Sequence, residues 1–325
     1  MSIATDVDLT AMTALLAPVG EPVSAERLTG GMFATTYRVG LADGSRVVLK
    51  TAPATDGGLL TYERDLLRTE AEIYALGADR PDLLMPRVLH VDLTRTHLPG
   101  DALVVSHQPG RPWTETGWGQ PGEDPRAARA QRELGAYLAR VHTVTGTAFG
   151  YPNAPALRDA TWRGTCTLVL ESLLSDAARW GVDLPVAAVR DAWARHSAAL
   201  DDVAEPLLVH ADLWPGNVFV DPEGAVVGVI DTERAFWGDP LFDIVGADPF
   251  GVEVSQLLLA GHRDQAGVEW DVTSRDPQRR LWLYRLVLAL MMTVEVGPRQ
   301  YQGDWVPGHL ALVEAMLTRS LAALA

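Results

Sequence analysis

Several residue types are scarce in this chain, and each scarcity removes a class of function. The 325 residues contain one cysteine, Cys166, so no intrachain disulfide can form and a reducing compartment fits. Its setting, Cys-Thr-Leu-Val-Leu, reads as a small core residue rather than a nucleophile. No Walker A motif is present, which removes the main support for a P-loop NTPase. HExxH and GxSxG are also absent, which disfavours zincin and α/β-hydrolase chemistry. Cationic surface is in deficit: the formal net charge is -15, which disfavours a nucleic-acid partner. The longest apolar candidate, Leu281 to Val294, is interrupted by Arg285 and reads as too short to span a membrane. The N-terminus carries Asp6 and Asp8 rather than a basic stretch, so no signal peptide is expected and a cytoplasmic location is.

The sharpest scarcities concern lysine and asparagine. Of 27 Lys and Arg residues, only Lys50 is a lysine, and asparagine occurs only at Asn153 and Asn217. A chain that uses arginine for nearly every cation marks the one position where it keeps lysine. Lysine is a compact point charge and arginine a planar fork, so the two do not interchange at a tight site.

The order of hydrophobic patterns predicts an α+β, two-lobed chain. Residues 27–41 and 46–51 read as strands joined through Ala42-Asp43-Gly44-Ser45. Residues 61–77 read as a helix with Leu66, Leu67, Glu70, Ile73 and Tyr74 on one face. Further strands are expected at 88–92 and 102–107. A loop rich in Gly, Pro and Trp, from Pro109 to Pro125, then precedes a mostly helical remainder. The helices are expected near 126–144, 165–180, 186–203, 254–262, 277–296 and 308–324. A sheet-rich N-lobe over 1–108 and a helical C-lobe over 109–325 would leave a cleft between them.

Three segments carry the chemistry. His210-Ala211-Asp212-Leu213-Trp214-Pro215-Gly216-Asn217 matches His-x-Asp-x4-Asn, in which the carboxylate handles a hydroxyl proton and the amide oxygen reaches Mg²⁺. Asp231 ends the apolar run Val226–Ile230, where a second hard-oxygen Mg²⁺ ligand would stand. Lys50 ends the apolar strand Arg46–Leu49, where it would hold phosphates and itself be held by a helix carboxylate. Periodicity favours Glu70 for that carboxylate. Glu72 follows Arg68 by four residues and reads as half of a solvated pair. Gly30 and Gly31 sit where backbone N–H groups would approach phosphates.

These segments, in this order and spacing, resemble the aminoglycoside phosphotransferase-like family of kinases from about residue 20 to the C-terminus. Val105-Ser106-His107-Gln108-Pro109-Gly110 resembles its hinge, Leu138–His142 the end of one of its helices, and Gly238-Asp239-Pro240-Leu241-Phe242-Asp243 the segment after its metal site. The resemblance implies a bilobal protein-kinase-like fold, with ATP or GTP between the lobes and the backbone of Ser106 and Gln108 on the purine. It implies Asp212 as catalytic base, Asn217 and Asp231 as Mg²⁺ ligands, and Asp243 as a brace for the catalytic loop. Ala211, Trp214 and Thr232 depart from the family's usual residues. The Arg of His-Arg-Asp, Asp-Phe-Gly and Ala-Pro-Glu are missing, which disfavours a protein kinase.

The expected partner is a small-molecule acceptor, with neither nucleic acid nor membrane. Ten tryptophans offer aromatic walls for it. Trp162, Trp193 and Trp282 read as helix packing, while Trp214 and Trp237 flank the metal loop and read as substrate candidates. Asp248 and Glu253 could read a cationic acceptor or be surface charges. An antibiotic O-phosphotransferase, a metabolite kinase and a non-catalytic binding protein all remain open. The intact Lys50, Asp212, Asn217 and Asp231 weigh against the third.

Overall fold

Buried and half-open residues alternate without a break along Thr35–Leu41, which makes that segment (β2) the centre of an antiparallel sheet. It pairs with Pro22–Leu28 (β1) on one side and Arg46–Thr51 (β3) on the other. Val88–Asp92 (β4) and Ala102–Ser106 (β5) complete five strands in the order β1-β2-β3-β5-β4. This computed structural model describes residues 7–28, 33–53 and 58–325, with Leu9 through its backbone alone. The strand expected over 27–41 is thus two strands, and Gly30 and Gly31 lie outside the described residues.

The β2–β3 turn forms where the sequence placed it, with the Asp43 carboxylate accepting the Ser45 N–H at 2.9 Å. One face of the sheet packs on Leu9–Leu16 (α1) through Leu15, Leu16, Val39 and Leu49. The other face packs on Leu66–Leu76 (α2) through Leu67, Tyr74, Leu103 and Val105.

The helix expected over 61–77 breaks at Asp65, whose backbone is left-handed at φ 54°. The residues before it leave the sheet and dock on the helical lobe. Thr61–Glu63 form a 3-10 turn, and the Thr61 N–H reaches the Asp176 carboxylate at 2.6 Å. Asp176 belongs to Trp162–Trp180 (α4). Leu60 and Tyr62 accordingly join the core of the helical lobe. Interhelical contact, which periodicity does not encode, overrides the local pattern here.

That lobe begins with Arg111–Pro112 (β6), which pairs with Val218–Val220 (β10). β10 pairs in turn with Val226–Val229 (β11). A second small sheet runs Arg158–Asp159 (β8), Phe149–Gly150 (β7), Phe236–Gly238 (β12), Leu207–Val209 (β9). Helix Pro125–Val141 (α3) crosses Gln256–Ala266 (α7) closely enough that Gly135 and Gly261 each face the other helix's backbone, where a Cβ would collide. Val186–His196 (α5) ends earlier than expected and continues as a 3-10 turn over Ser197–Asp202.

Leu241–Ala247 (α6), Arg275–Val294 (α8), Val296–Arg299 (α9) and Val306–Ala323 (α10) finish the chain. Among the described residues, α8 with its continuation is the one helix long and apolar enough to cross a membrane. Here it lies in the core, with Leu283, Leu286 and Leu290 fully buried. Arg285 interrupts its apolar sequence but does not break it. The guanidinium donates to the carbonyls of Gly251 and Val252 at 3.1 Å each, so a buried cation is solvated by backbone.

Candidate active site

Lys50 reaches the cleft because its strand is buried on the other residues' account. Val47 and Leu49 fill the α1-side core, and the opposite parity aims Lys50 toward α2. There its Nζ meets the Glu70 carboxylate at 2.6 Å. Glu70 is fully buried, so it holds the lysine and is itself screened from any ligand. The same Nζ pairs with the Asp231 carboxylate across the cleft. Burial alone would depress the ammonium, but Asp231, Glu70 and Glu233 outweigh it and hold Lys50 firmly protonated. Glu72 does not pair with Arg68. Arg68 goes to Asp101 at 2.7 Å, and Glu72 accepts from Asn153 at 3.2 Å.

Asp231 stands at the end of β11 with a left-handed backbone, φ 63°, which opens the Thr232–Arg234 turn. Its N–H donates to the Tyr74 hydroxyl of α2 at 2.9 Å, a second link between the lobes.

The segment 210–217 is fixed from behind. Asp243, at 0 % exposure on α6, accepts the N–H groups of His210 and Ala211 at 3.1 and 2.7 Å and also meets His142 Nε2 at 2.9 Å. The bracing expected of Asp243 is what these contacts provide. Gly246 permits this approach, since a Cβ there would lie 2.8 Å from the Ala211 carbonyl oxygen. Ala211 is left-handed at φ 69°, a cost that the two bonds from Asp243 help offset. The His210 ring donates from Nε2 to the Ile230 carbonyl at 3.0 Å and accepts the Asp212 N–H on Nδ1 at 3.3 Å. That pattern assigns it a neutral tautomer.

Asp212 is thereby held half-buried at the cleft. Burial pushes its carboxyl up, against the pull of Arg234, and Asp231 and Glu295 add to the rise. Asn217 donates its Nδ2 to the Asp212 carbonyl at 2.9 Å and to its carboxylate at 3.3 Å. This orientation turns Asn217 Oδ1 away, with no partner among the described residues. A hard-oxygen set therefore faces the cleft from Asn217 and Asp231. Among the described residues no group of three His, Cys, Asp or Glu side chains could hold a metal ion by itself, so a bound cation would take most of its ligands from nucleotide and water.

At the hinge, the Ser106 N–H is taken by the Arg87 carbonyl at 2.9 Å, and its hydroxyl accepts from the Arg87 N–H. That leaves the Ser106 carbonyl as the group a purine could use. The Gln108 N–H has no backbone partner among the described residues and could serve a ring nitrogen.

Two functional candidates escaped sequence reasoning. Glu233 and Arg234 follow Asp231 in the 3-10 turn. Glu233 makes no hydrogen bond or ion pair among the described residues, and burial with its acidic neighbours pushes it up to about 8 against the pull of Lys50. Arg234 binds Glu295 at 2.7 Å. Their sequence signal was their place in Ile230–Ala235, a segment that resembles the metal-site segment of the family, but no role was read for either.

Most of the tryptophans pack. Trp113, Trp118, Trp162 and Trp193 are buried in the core, and Trp237, expected near substrate, lies against Gly146 and the helical core. Trp214 is 43 % exposed beside Asp212 and keeps its candidacy. Asp248 accepts the Gly251 N–H at 3.0 Å and closes a turn.

A model of the phosphotransferase enzyme family, APH, matches residues 24–280. A thermostable mutant of the aminoglycoside phosphotransferase APH(4)-Ia, solved with AMP-PNP and hygromycin B, superposes with a TM-score of 0.60 at 18 % identity, covering 96 % of each chain. A Thermobifida fusca protein assigned as a fructosamine-3-kinase gives 0.64 at 22 % identity, covering 96 % of this chain and 100 % of that one. A Bacillus subtilis protein, YcbJ, is 26 % identical over 140 residues, spanning 42 % of this chain and 43 % of its own length.

Proposed function

We propose, since the chain belongs to the phosphotransferase enzyme family and is a small-molecule kinase, that it moves the γ-phosphate of ATP or GTP to a hydroxyl with Mg²⁺ as cofactor. The observation that carries this reading is the meeting of Lys50, Glu70 and Asp231 in front of the Asp212–Asn217 pair. Four carboxylates, Glu70, Asp231, Glu233 and Asp212, share the cleft with one lysine. Such an excess of negative charge suits a divalent cation, which would in turn offset the charge of the nucleotide's phosphates.

Asn217 Oδ1 and the Asp231 carboxylate would hold Mg²⁺, which neutralises phosphate charge when bound. Lys50, freed in part from Asp231, would hold the donor's phosphates while Glu70 keeps it in register. The Ser106 carbonyl and Gln108 N–H would seat the purine. Asp212 is the base: its carboxylate lies at the open side of the loop, and a carboxyl raised by burial binds a hydroxyl proton more readily than a solvated one. His210, Ala211 and Asp243 hold it still.

The acceptor we favour is an aminoglycoside or another hydroxylated natural product, which would make this a resistance enzyme. A metabolite kinase acting on a small alcohol, amino alcohol or sugar is the second reading, and the fructosamine-3-kinase neighbour supports testing it. One panel decides: ATP and GTP with Mg²⁺, hygromycin B and other antibiotics, and sugars and amino alcohols, scored for ADP or GDP. Turnover with one acceptor class names the substrate. No diphosphate above the protein-free control with any acceptor sinks the reading.

A further inference from the structure

Asparagine occurs twice in this chain, and the site described above uses only Asn217. The other, Asn153, sits on the loop between β7 and β8. Its Nδ2 donates to the Thr69 hydroxyl and to the Glu72 carboxylate of α2, at 3.2 Å each. An ionised carboxylate only accepts, so Glu72 fixes which way the amide faces. The loop that carries Asn153 is held stiff. Arg158 donates to the carbonyls of Tyr151 and Pro152, and a 3-10 turn follows over Pro155–Leu157. Tyr151 is buried, its ring 5.5 Å from that of Phe236 and 6.2 Å from that of Tyr62. Both ends of α2 are docked on the helical lobe as well. Before it, the Thr61 N–H and hydroxyl reach Asp176 at 2.6 and 3.0 Å, and the Tyr62 hydroxyl donates to Glu295. After it, Leu83 enters the helical core and the Leu84 carbonyl accepts the Val229 N–H at 3.0 Å.

Anchored ends fix the axis of a helix but not its rotation about that axis. Thr69 and Glu72, three residues apart, are neighbours on one face, and Glu70 projects about 100° round from Thr69. A rotation of about 20° would carry a side chain at a radius of about 5 Å sideways by about 2 Å. That is enough to open the 2.6 Å contact between Glu70 and Lys50. Another bond that resists rotation, from the Asp231 N–H to Tyr74, hangs on the residue proposed to bind Mg²⁺. Asn153 resists it from an element that carries none of the site's residues. We propose that Asn153 is a positioning residue: it sets the rotation of α2, and through it the register of Glu70 with Lys50. The inference rests on the proposed function for the role of Lys50 in holding the donor's phosphates.

Lys50 is the chain's one lysine, so ¹⁵N-lysine-labelled protein gives a single side-chain ammonium signal that reads its pairing with Glu70. Asn153→Asp removes the donor and sets a charge against Glu72. Combining it with Glu72→Gln reverses donor and acceptor at nearly the same shape and restores the tie, since the new amide and the Thr69 hydroxyl can both donate. The two proteins are compared with wild type by this signal, by urea unfolding and by steady-state kinetics with the acceptor found by the panel. Asn153→Asp should move the signal toward that of a solvated lysine. It should lower kcat by about tenfold, with the KM for the acceptor within about twofold. The double variant should recover both. An unmoved signal in folded Asn153→Asp overturns the proposal, as does a moved signal with kcat unchanged. Lost urea stability with signal and kcat as in wild type would make the role structural and overturns it too. A double variant that recovers neither counts against the tie. Asn153→Ala, which drops the tie without adding charge, is read in the same way if Asn153→Asp does not fold. If no acceptor turns over in the wild type, the phosphotransfer reading fails by itself. The ammonium signal still decides whether Asn153 sets the Lys50–Glu70 pair.

Discussion

Two charged clusters adjoin Asp212, and they are built on opposite principles. In the cleft, Lys50 faces Glu70, Asp231 and Glu233, with Asp212 close by, so carboxylates outnumber cations. Behind it, Glu63 and Glu295 are matched by Arg234 and Arg299, buried together under Tyr62 and Tyr301. An ion network taken fully out of water must balance, because an uncompensated buried charge costs several kcal/mol. The cleft is half-open and escapes that demand. Its imbalance is a deficit of positive charge that, on the proposed function, a divalent cation would fill, at a cost in stability to the empty protein. The difference separates residues that wait for a ligand from residues that hold the fold, and it can be broken at either cluster.

The largest expected effect is at Asp212. Asp212→Asn should cut turnover by at least ~1000-fold. Its nucleotide affinity, measured by calorimetry, should stay close to wild type. Because burial already opposes charge at this carboxyl, its melting temperature should hold or rise. A clear drop would put Asp212 in the balanced class and refute the contrast drawn here. Glu63→Gln attacks the other cluster. It leaves the buried Arg299 one carboxylate short, with Glu295 still 3.9 Å away, and should cost about 2 kcal/mol in urea unfolding, with the loss of stability as the primary effect. Lys50→Arg probes the boundary between the two. The charge is kept, but a planar fork cannot meet Glu70 and Asp231 as a single point does. A kcat loss of about 100-fold is expected, with a smaller change in unfolding free energy. Unchanged kinetics would mean that the solitary lysine is no mark of function.

The cleft cluster was largely legible in the sequence, and the balanced network was not. Lys50, Asp212, Asn217 and Asp231 could be read because each terminates or follows an apolar strand, and because the chain almost never uses lysine or asparagine elsewhere. Helical periodicity separated Glu70 from Glu72. Glu63, Arg234, Glu295 and Arg299 come from three distant segments, and no local pattern joins them. Glu295 and Arg299 are spaced i, i+4, which on sequence reads as an exposed pair. The same limit explains the break at Asp65. The turn 61–63 is held by Asp176 of α4, more than a hundred residues away, so periodicity extended the helix through it. Trp237 was misread for a related reason. Adjacency to the metal loop suggested a ligand wall, but β12 turns that ring onto Gly146.

A third way of managing charge lies behind the catalytic loop and gives the smallest expected effect. His262 of α7 is 4 % exposed and stacks on Trp270, ring centroids 3.8 Å apart, with His142 nearby. Burial, helped by His142, pushes its pKa down to about 4 from an ordinary 6.5. The unfolded chain therefore takes up the proton first as the pH falls. Above pH 6.5 the contribution of His262 to stability is intact. Between 6.5 and about 4 it is lost, at up to ~1.4 kcal/mol per pH unit and about 3 kcal/mol in all. Glu233 of the cleft acts in part of this window with the opposite sign, because the folded chain takes up its proton first, so the share of His262 is read as a difference between variants. His262→Phe keeps a ring on Trp270 and removes the titrating group, so urea midpoints at pH 5 and 7.5 should lie closer together than in the wild type. Equal acid sensitivity in the two proteins would refute the assignment of this window to His262.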